Sequence, residues 1–180
     1  MVLTYKQCIE KYGSDYMLKK EIAKGNIFKI EKGIYSNKEK CSELDSIGAK
    51  YPNAVFTGES AFYYHGLTDV IPDYYHLATI RTDSRIKDER IKQTFIKKEI
   101  FDMGKIMMPY HNTEICIYNL ERMLIELIRF RGKMPFDYYK EIISSYRNRV
   151  YAMDFTKLEE YADKFKYSDK IMEIIELEVL

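Results

Sequence analysis

Glu59, Ser60 and His65 lie within seven residues of one another in the segment ESAFYYHGL, and a serine with a base and a carboxylate nearby is the material of nucleophilic catalysis. Such a serine needs its base at hydrogen-bond distance and an exposed turn to stand on. A serine one turn from a histidine on an aromatic helix is better explained by capping and packing. His65, just before Gly66, is placed to bond a terminal carbonyl of its own helix. Metal-dependent phosphate chemistry is no better served. Pro72-Asp73 is present, but no Asp or Glu stands two residues before any lysine, no Asp-x-Asp pair exists to hold magnesium, and there is no phosphate-binding glycine loop. His65, His76 and His111 are scattered, as are Cys8, Cys41 and Cys116, so no metal-ligand spacing arises. The expectation is a protein that is not an enzyme and carries no cofactor or metal.

The remaining chemistry is charge. Residues Gly13 to Tyr35 read GSDYMLKKEIAKGNIFKIEKGIY. Ser14 is a good helix N-cap, Gly25 suits the position just past the C-terminus, and Leu18 and Ile22 lie four apart and share a buried face. Tyr16, Lys19, Lys20 and Lys24 are left facing outward. Ile27, Phe28 and Ile30, a Lys32-Gly33 turn and Ile34-Tyr35 then have the character of a tight hairpin, with Lys29 and Lys32 on it and Phe28 packing it onto the helix. Upstream, Thr4 can cap a first helix whose Tyr5, Cys8, Ile9 and Tyr12 follow the helical apolar pattern. A capped helix with lysines on its wet side describes many ordinary surface helices. What favours DNA is the order of elements, helix, turn, helix and wing, the outline of a winged helix-turn-helix. Its lysines would neutralise phosphates, while Tyr16 and Lys20, early in the second helix, are candidates to reach base edges in the major groove.

Residues 1–40 hold nine lysines against five acids, and from Tyr151 onward eight acids face four lysines, within a chain of formal charge +1. A basic head and an acidic tail suit a molecule that meets phosphate at one end. With 180 residues, 46% apolar and 32% charged, a sizeable core and a soluble surface are both affordable. No stretch reaches the roughly eighteen apolar residues of a membrane span. Lys6, Glu10 and Lys11 interrupt any secretion signal, so a cytoplasmic protein with no membrane partner and reduced cysteines is expected.

After Ser36 the character changes, and the boundary is placed between a module of residues 1–40 and a domain of residues 41–180. ELDSIGAKYP reads as a short helix, Ala54 to Phe56 as a buried strand, Glu59 to His65 as a helix and Tyr75 to Ile80 as a strand. FIKKEIF, KIMMPY and EICIYN then read as the pieces of a meander. Four apolar helical faces follow: Leu120, Met123, Leu124, Leu127 and Ile128; Phe136, Tyr139, Ile142, Ile143 and Tyr146; Phe155, Leu158, Tyr161, Ala162 and Phe165; Ile171, Ile174, Ile175 and Leu177. The fold class is α+β, a winged helix-turn-helix followed by a mixed domain with a small central sheet and a helical C-terminus.

The wing GNIFKIEKGIYS, the segment VFTGESAFYYHGLTDVIPDYYHLAT and the helix YNLERMLIELIRF, in this order, resemble the AbiEi family of antitoxins from type IV toxin–antitoxin systems. The likeness covers most of the chain and rests on Gly33-Ile34-Tyr35, Ser60-Ala61, His65-Gly66-Leu67 and Glu121-Arg122. It implies a protein whose N-terminal module binds inverted repeats in double-stranded DNA upstream of its own operon and represses it. It also implies a C-terminal domain that counteracts a neighbouring nucleotidyltransferase toxin. Carried over, the DNA role falls on Ser14, Tyr16, Lys19, Lys20, Lys24, Lys29, Lys32 and Tyr35. A pair of molecules on the two-fold repeat would add the contacts that one small module lacks. The alternative is a module that ignores DNA and binds protein, for which the many tyrosines of the C-terminal domain offer a face, or a divergent nucleic-acid-processing enzyme.

Overall fold

The computed structural model describes Met1–Leu180, a mixed α+β chain with two small sheets. Its residues cluster into two compact units, Met1–Ala54 with Pro109–Ile115, and Val55–Met108 with Cys116–Leu180.

The first unit contains β1 (Val2–Thr4), α1 (Tyr5–Tyr12), α2 (Asp15–Ala23), β2 (Phe28–Glu31), β3 (Ile34–Ser36) and α3 (Glu43–Lys50). A reciprocal capping box starts α1: Thr4 Oγ1 accepts the Gln7 N–H at 3.3 Å and Gln7 Oε1 accepts the Thr4 N–H at 2.8 Å. Ser14 Oγ accepts the Met17 N–H at 3.2 Å and starts α2. β2 and β3 are antiparallel, and the turn between them needs a left-handed residue, which Gly33 supplies at φ 81°. β1 has no period to read in three residues, yet it pairs antiparallel with the other side of β3. β3 is therefore the central strand, and all three of its residues are buried. Cys8, Leu18, Ile27 and Tyr35 form the core, with Leu3, Ile9, Tyr12 and Ile22 packed around it. Full burial of each large aliphatic here is worth about 1.5–3 kcal/mol. α3, capped by Ser42, packs on β1 and β3 and so groups with this unit, although the sequence reading places it beyond the boundary. Thr113 Oγ1 donates to Asp45 on the same helix.

The second unit contains β4 (Val55–Phe56), α4 (Gly58–Tyr64), β5 (Tyr75–Ile80), β6 (Ile91–Ile96), α5 (Lys98–Phe101), half of the hairpin β7 (Lys105–Tyr110) and β8 (Thr113–Tyr118), and then α6 (Leu120–Phe130), α7 (Phe136–Arg147), α8 (Phe155–Ala162) and α9 (Ser168–Glu178). The strand order is β6-β5-β4-β8-β7, with β4 antiparallel to β5 and parallel to β8, and β5 parallel to β6. This corrects the expected meander. FIKKEIF splits into the end of β6 and the short helix α5, and β6 lies at the opposite edge of the sheet from β7. Alternation reveals that a segment is extended but not which strand it will pair with.

Helix α6 is the centre of this unit. Every residue from Glu121 to Ile128 is buried, and α4, α8 and α9 all pack against it. Arg122 is fully buried: Nη2 and Nε donate to Glu126 Oε1 at 2.8 and 3.1 Å, and Nη1 donates to the Ile100 carbonyl at 3.1 Å. Its guanidinium lies 5.0 Å from the Tyr118 ring centroid and 4.8 Å from that of Phe165. Glu126 also accepts from Arg129 at 2.9 Å, and Glu121 accepts the Asp154 N–H at 2.9 Å. Gly104, at φ 78°, leaves room for this arrangement, since a Cβ there would stand 2.7 Å from Arg122 Cβ. The Glu121-Arg122 pair of the sequence motif is thus a packing device. Two residues depart from the expected apolar faces, Phe136 at 66% exposed and Leu177 at 75%. Phe136 begins its helix and is covered on one side by the Lys140 ammonium, 4.7 Å from the ring centroid. Of the C-terminal tyrosines, Tyr139 and Tyr146 are buried, whereas Tyr151 and Tyr167 stand in solvent.

Candidate nucleic-acid interface

Tyr16 is 73% exposed at the start of α2, and Lys19, Lys20 and Lys24 follow it as exposed residues; Lys29 and Lys32 are exposed on the β2–β3 hairpin. These cations are not equivalent. Lys19 is held by Asp15 at 2.7 Å and Lys24 by Glu21 at 2.7 Å, while Asn26 Nδ2 donates to the second oxygen of Glu21 at 2.7 Å. The Lys19 hydrogen bond holds the Asp15 carboxyl below its ordinary value, and the same pair raises Lys19. Glu21 is lowered first by Asn26 and then by Lys24. A phosphate contacting Lys19 or Lys24 would have a carboxylate as its near neighbour. The ammonium groups of Lys20, Lys29 and Lys32 make no hydrogen bond or ion pair, which leaves them as the cations of this surface available to an anion. Sequence spacing already held the clue, because acids three and four residues before a lysine on a helix are its natural partners.

Two of the expected contact residues are used internally. The Ser14 oxygen is occupied with the helix cap. Tyr35, expected on the surface of the wing, is only 8% exposed, because it lies on the central strand opposite Leu3 and Lys29 and its ring closes the core over Cys8 and Leu18. The surface tyrosine beside it is Tyr5, assigned by sequence to a buried face but 43% exposed, with its ring centroid 6.4 Å from that of Tyr35 and its hydroxyl donating to Asp15 at 3.3 Å. Tyr5 therefore ties the start of α1 to the start of α2.

The Glu59, Ser60 and His65 group does not assemble as a triad. Ser60 is fully buried, its oxygen accepting the His76 N–H at 2.8 Å and its hydroxyl donating to the Tyr74 carbonyl at 3.2 Å. His65 does not bond a carbonyl of its own helix; its Nε2 lies 2.7 Å from the Tyr118 carbonyl on β8, and Arg149 takes over the helix end, donating to the carbonyls of His65 and of Gly66, the latter at 2.7 Å. The side chain near Glu59 is His76, whose buried Nε2 has no hydrogen bond and lies 3.4 Å from a Glu59 oxygen. No family model and no curated protein matches this chain. The three cysteines are free, no group of three or more His, Cys, Asp and Glu side chains is placed to hold a metal ion, and no helix is long and apolar enough to cross a membrane.

Burial pushes both His65 and His76 below the ordinary 6.5, in the second case against the pull of Glu59. The unfolded chain then binds more protons than the native one just below pH 6.5, so the stability contributed by the neutral rings is present above that pH and is lost as pH falls through the depressed native values. Thermal unfolding by circular dichroism should show Tm falling between about pH 7 and 5. The fall should be shallower in His65→Gln and His76→Gln; the same slope in all three proteins would refute the assignment.

Proposed function

We propose that the protein is a DNA-binding antitoxin of the type IV kind, which represses its own operon through an N-terminal winged helix-turn-helix and counteracts a nucleotidyltransferase toxin through the rest of the chain. The observation that carries this reading is the set of lysines whose ammonium groups make no ion pair, Lys20 on α2 and Lys29 and Lys32 on the following hairpin, displayed by a unit that has its own core. A helix and hairpin presenting cations side by side along the chain is a means of gripping phosphates while Tyr16, exposed in the first turn of α2, reaches toward base edges. Three free cations on the helix and hairpin of one chain make weak binding. Two chains on an inverted repeat raise the phosphate contacts to about six, enough for strong salt dependence. The test is a fluorescence-anisotropy titration against the DNA upstream of its own gene, at about 50 and 200 mM salt, with a scrambled duplex as control. Salt-sensitive preference for the native sequence supports the repressor reading. Equal affinity for the scrambled duplex at both salts removes it and leaves the protein-interaction alternative.

A further inference from the structure

The second unit carries a cleft of about 870 Å³ bounded by the end of β6, the C-terminal end of α6 and the link between α8 and α9. Lys97, Lys164, Lys166 and Lys170 line it, and none of their ammonium groups makes a hydrogen bond or ion pair. Arg129 joins them in a fixed position, its Nη1 donating to Glu126 at 2.9 Å and its guanidinium carbon 4.2 Å from the Phe165 ring centroid and 5.3 Å from that of Phe130. The acids lining the cleft are Glu99 and Glu126, and Glu126 is already neutralised by Arg122 and Arg129. Asp163 and Asp169, which alternate with the lysines in sequence, do not line it. The tail is acidic as a whole, yet this concave part of it is cationic.

Beside the cations stand two aromatic rings in contact with water, Phe95 at 43% and Tyr167 at 80% exposed, while Phe130 already carries Arg129 and Lys133 over its ring. Lysines without counter-charges repel one another, and a multiply charged anion relieves that repulsion. Exposed rings offer flat apolar faces on which a base can stack. A simple inorganic anion would leave the rings bare, and the Asp and Glu side chains of an acidic peptide bring no aromatic plane to cover them. The volume is that of a small-molecule site. We propose that this cleft binds a nucleoside polyphosphate, its phosphates on Lys164, Lys166 and Lys170 and its base against the aromatic wall.

The experiment is a titration of the full chain with a fluorescent N-methylanthraniloyl ATP, followed by competition with ATP, inorganic tripolyphosphate, adenosine and a twelve-nucleotide oligo-dT. Saturable binding is expected, displaced by ATP better than by tripolyphosphate or adenosine. Lys164→Gln, Lys166→Gln and Lys170→Gln together should weaken it about tenfold. Phe95→Ala should weaken ATP while leaving tripolyphosphate unchanged, and circular dichroism checks that both variants are folded. A variant with Lys20, Lys29 and Lys32 changed to Glu should bind the nucleotide as the parent does; loss there would place the binding on the first unit and overturn the proposal. Tripolyphosphate competing as well as ATP overturns the base-stacking assignment, oligo-dT competing far better than ATP reassigns the cleft to single strands, and no saturable signal refutes the site.

Discussion

Arg122→Ala is expected to destabilise the second unit by about 3 kcal/mol or more, the cost of breaking a buried ion pair from one side. The substitution removes two hydrogen bonds to Glu126, one to the Ile100 carbonyl and the guanidinium contacts with Tyr118 and Phe165. It also leaves a void inside a close-packed region. Arg129 continues to neutralise Glu126, which keeps the cost from rising further. Arg122→Met, similar in length and without charge, should lose less than the alanine variant because it refills part of the space. Urea unfolding followed by circular dichroism measures both. An Arg122→Ala loss under about 1 kcal/mol would show that the buried guanidinium is dispensable and that its packing role has been overstated.

The second large effect concerns the proposed DNA surface. Changing Lys20, Lys29 and Lys32 together to Glu should weaken binding to the upstream DNA by more than about a hundredfold and flatten the plot of log affinity against log salt by about three per chain. Lys19→Gln should change much less, because Lys19 enters the contest already paired to Asp15 at 2.7 Å. Anisotropy titrations between about 50 and 200 mM salt separate the two classes. If Lys19→Gln alone matches the triple substitution, the internal ion pair must open on binding, and the ranking of the cations is wrong.

Local signals carried the helical parts of this chain. Thr4 and Ser14 start their helices because their oxygens replace missing intrahelical acceptors, and this information lies within four residues. Met123, Leu124, Leu127 and Ile128 are buried as their spacing predicts, with Leu120 half-buried at the start of the same face. What sequence could not supply was partnership. Nothing in Val2–Thr4 says that it will flank β3, and without that strand Tyr35 reads as a surface residue. The segment after β5 reads as extended, but its parallel pairing beside β5 is set by tertiary packing. For the site, the exposure of the lysines was legible, and the acid spacing that occupies Lys19 and Lys24 could have been read with it. The cationic cleft was not legible. Lys97, Arg129 and Lys166 are far apart in sequence, and the acidic average of the tail conceals them.

Glu121 to Ile128 turn no side toward water, and this gives α6 a use as an internal gauge. Amide hydrogens in a helix with a wet face exchange through small local openings, but those of a helix enclosed all round wait for the whole surrounding structure to open. The slowest-exchanging amides of the chain should therefore map to α6, and their exchange rate would report the free energy of the second unit without denaturant or label.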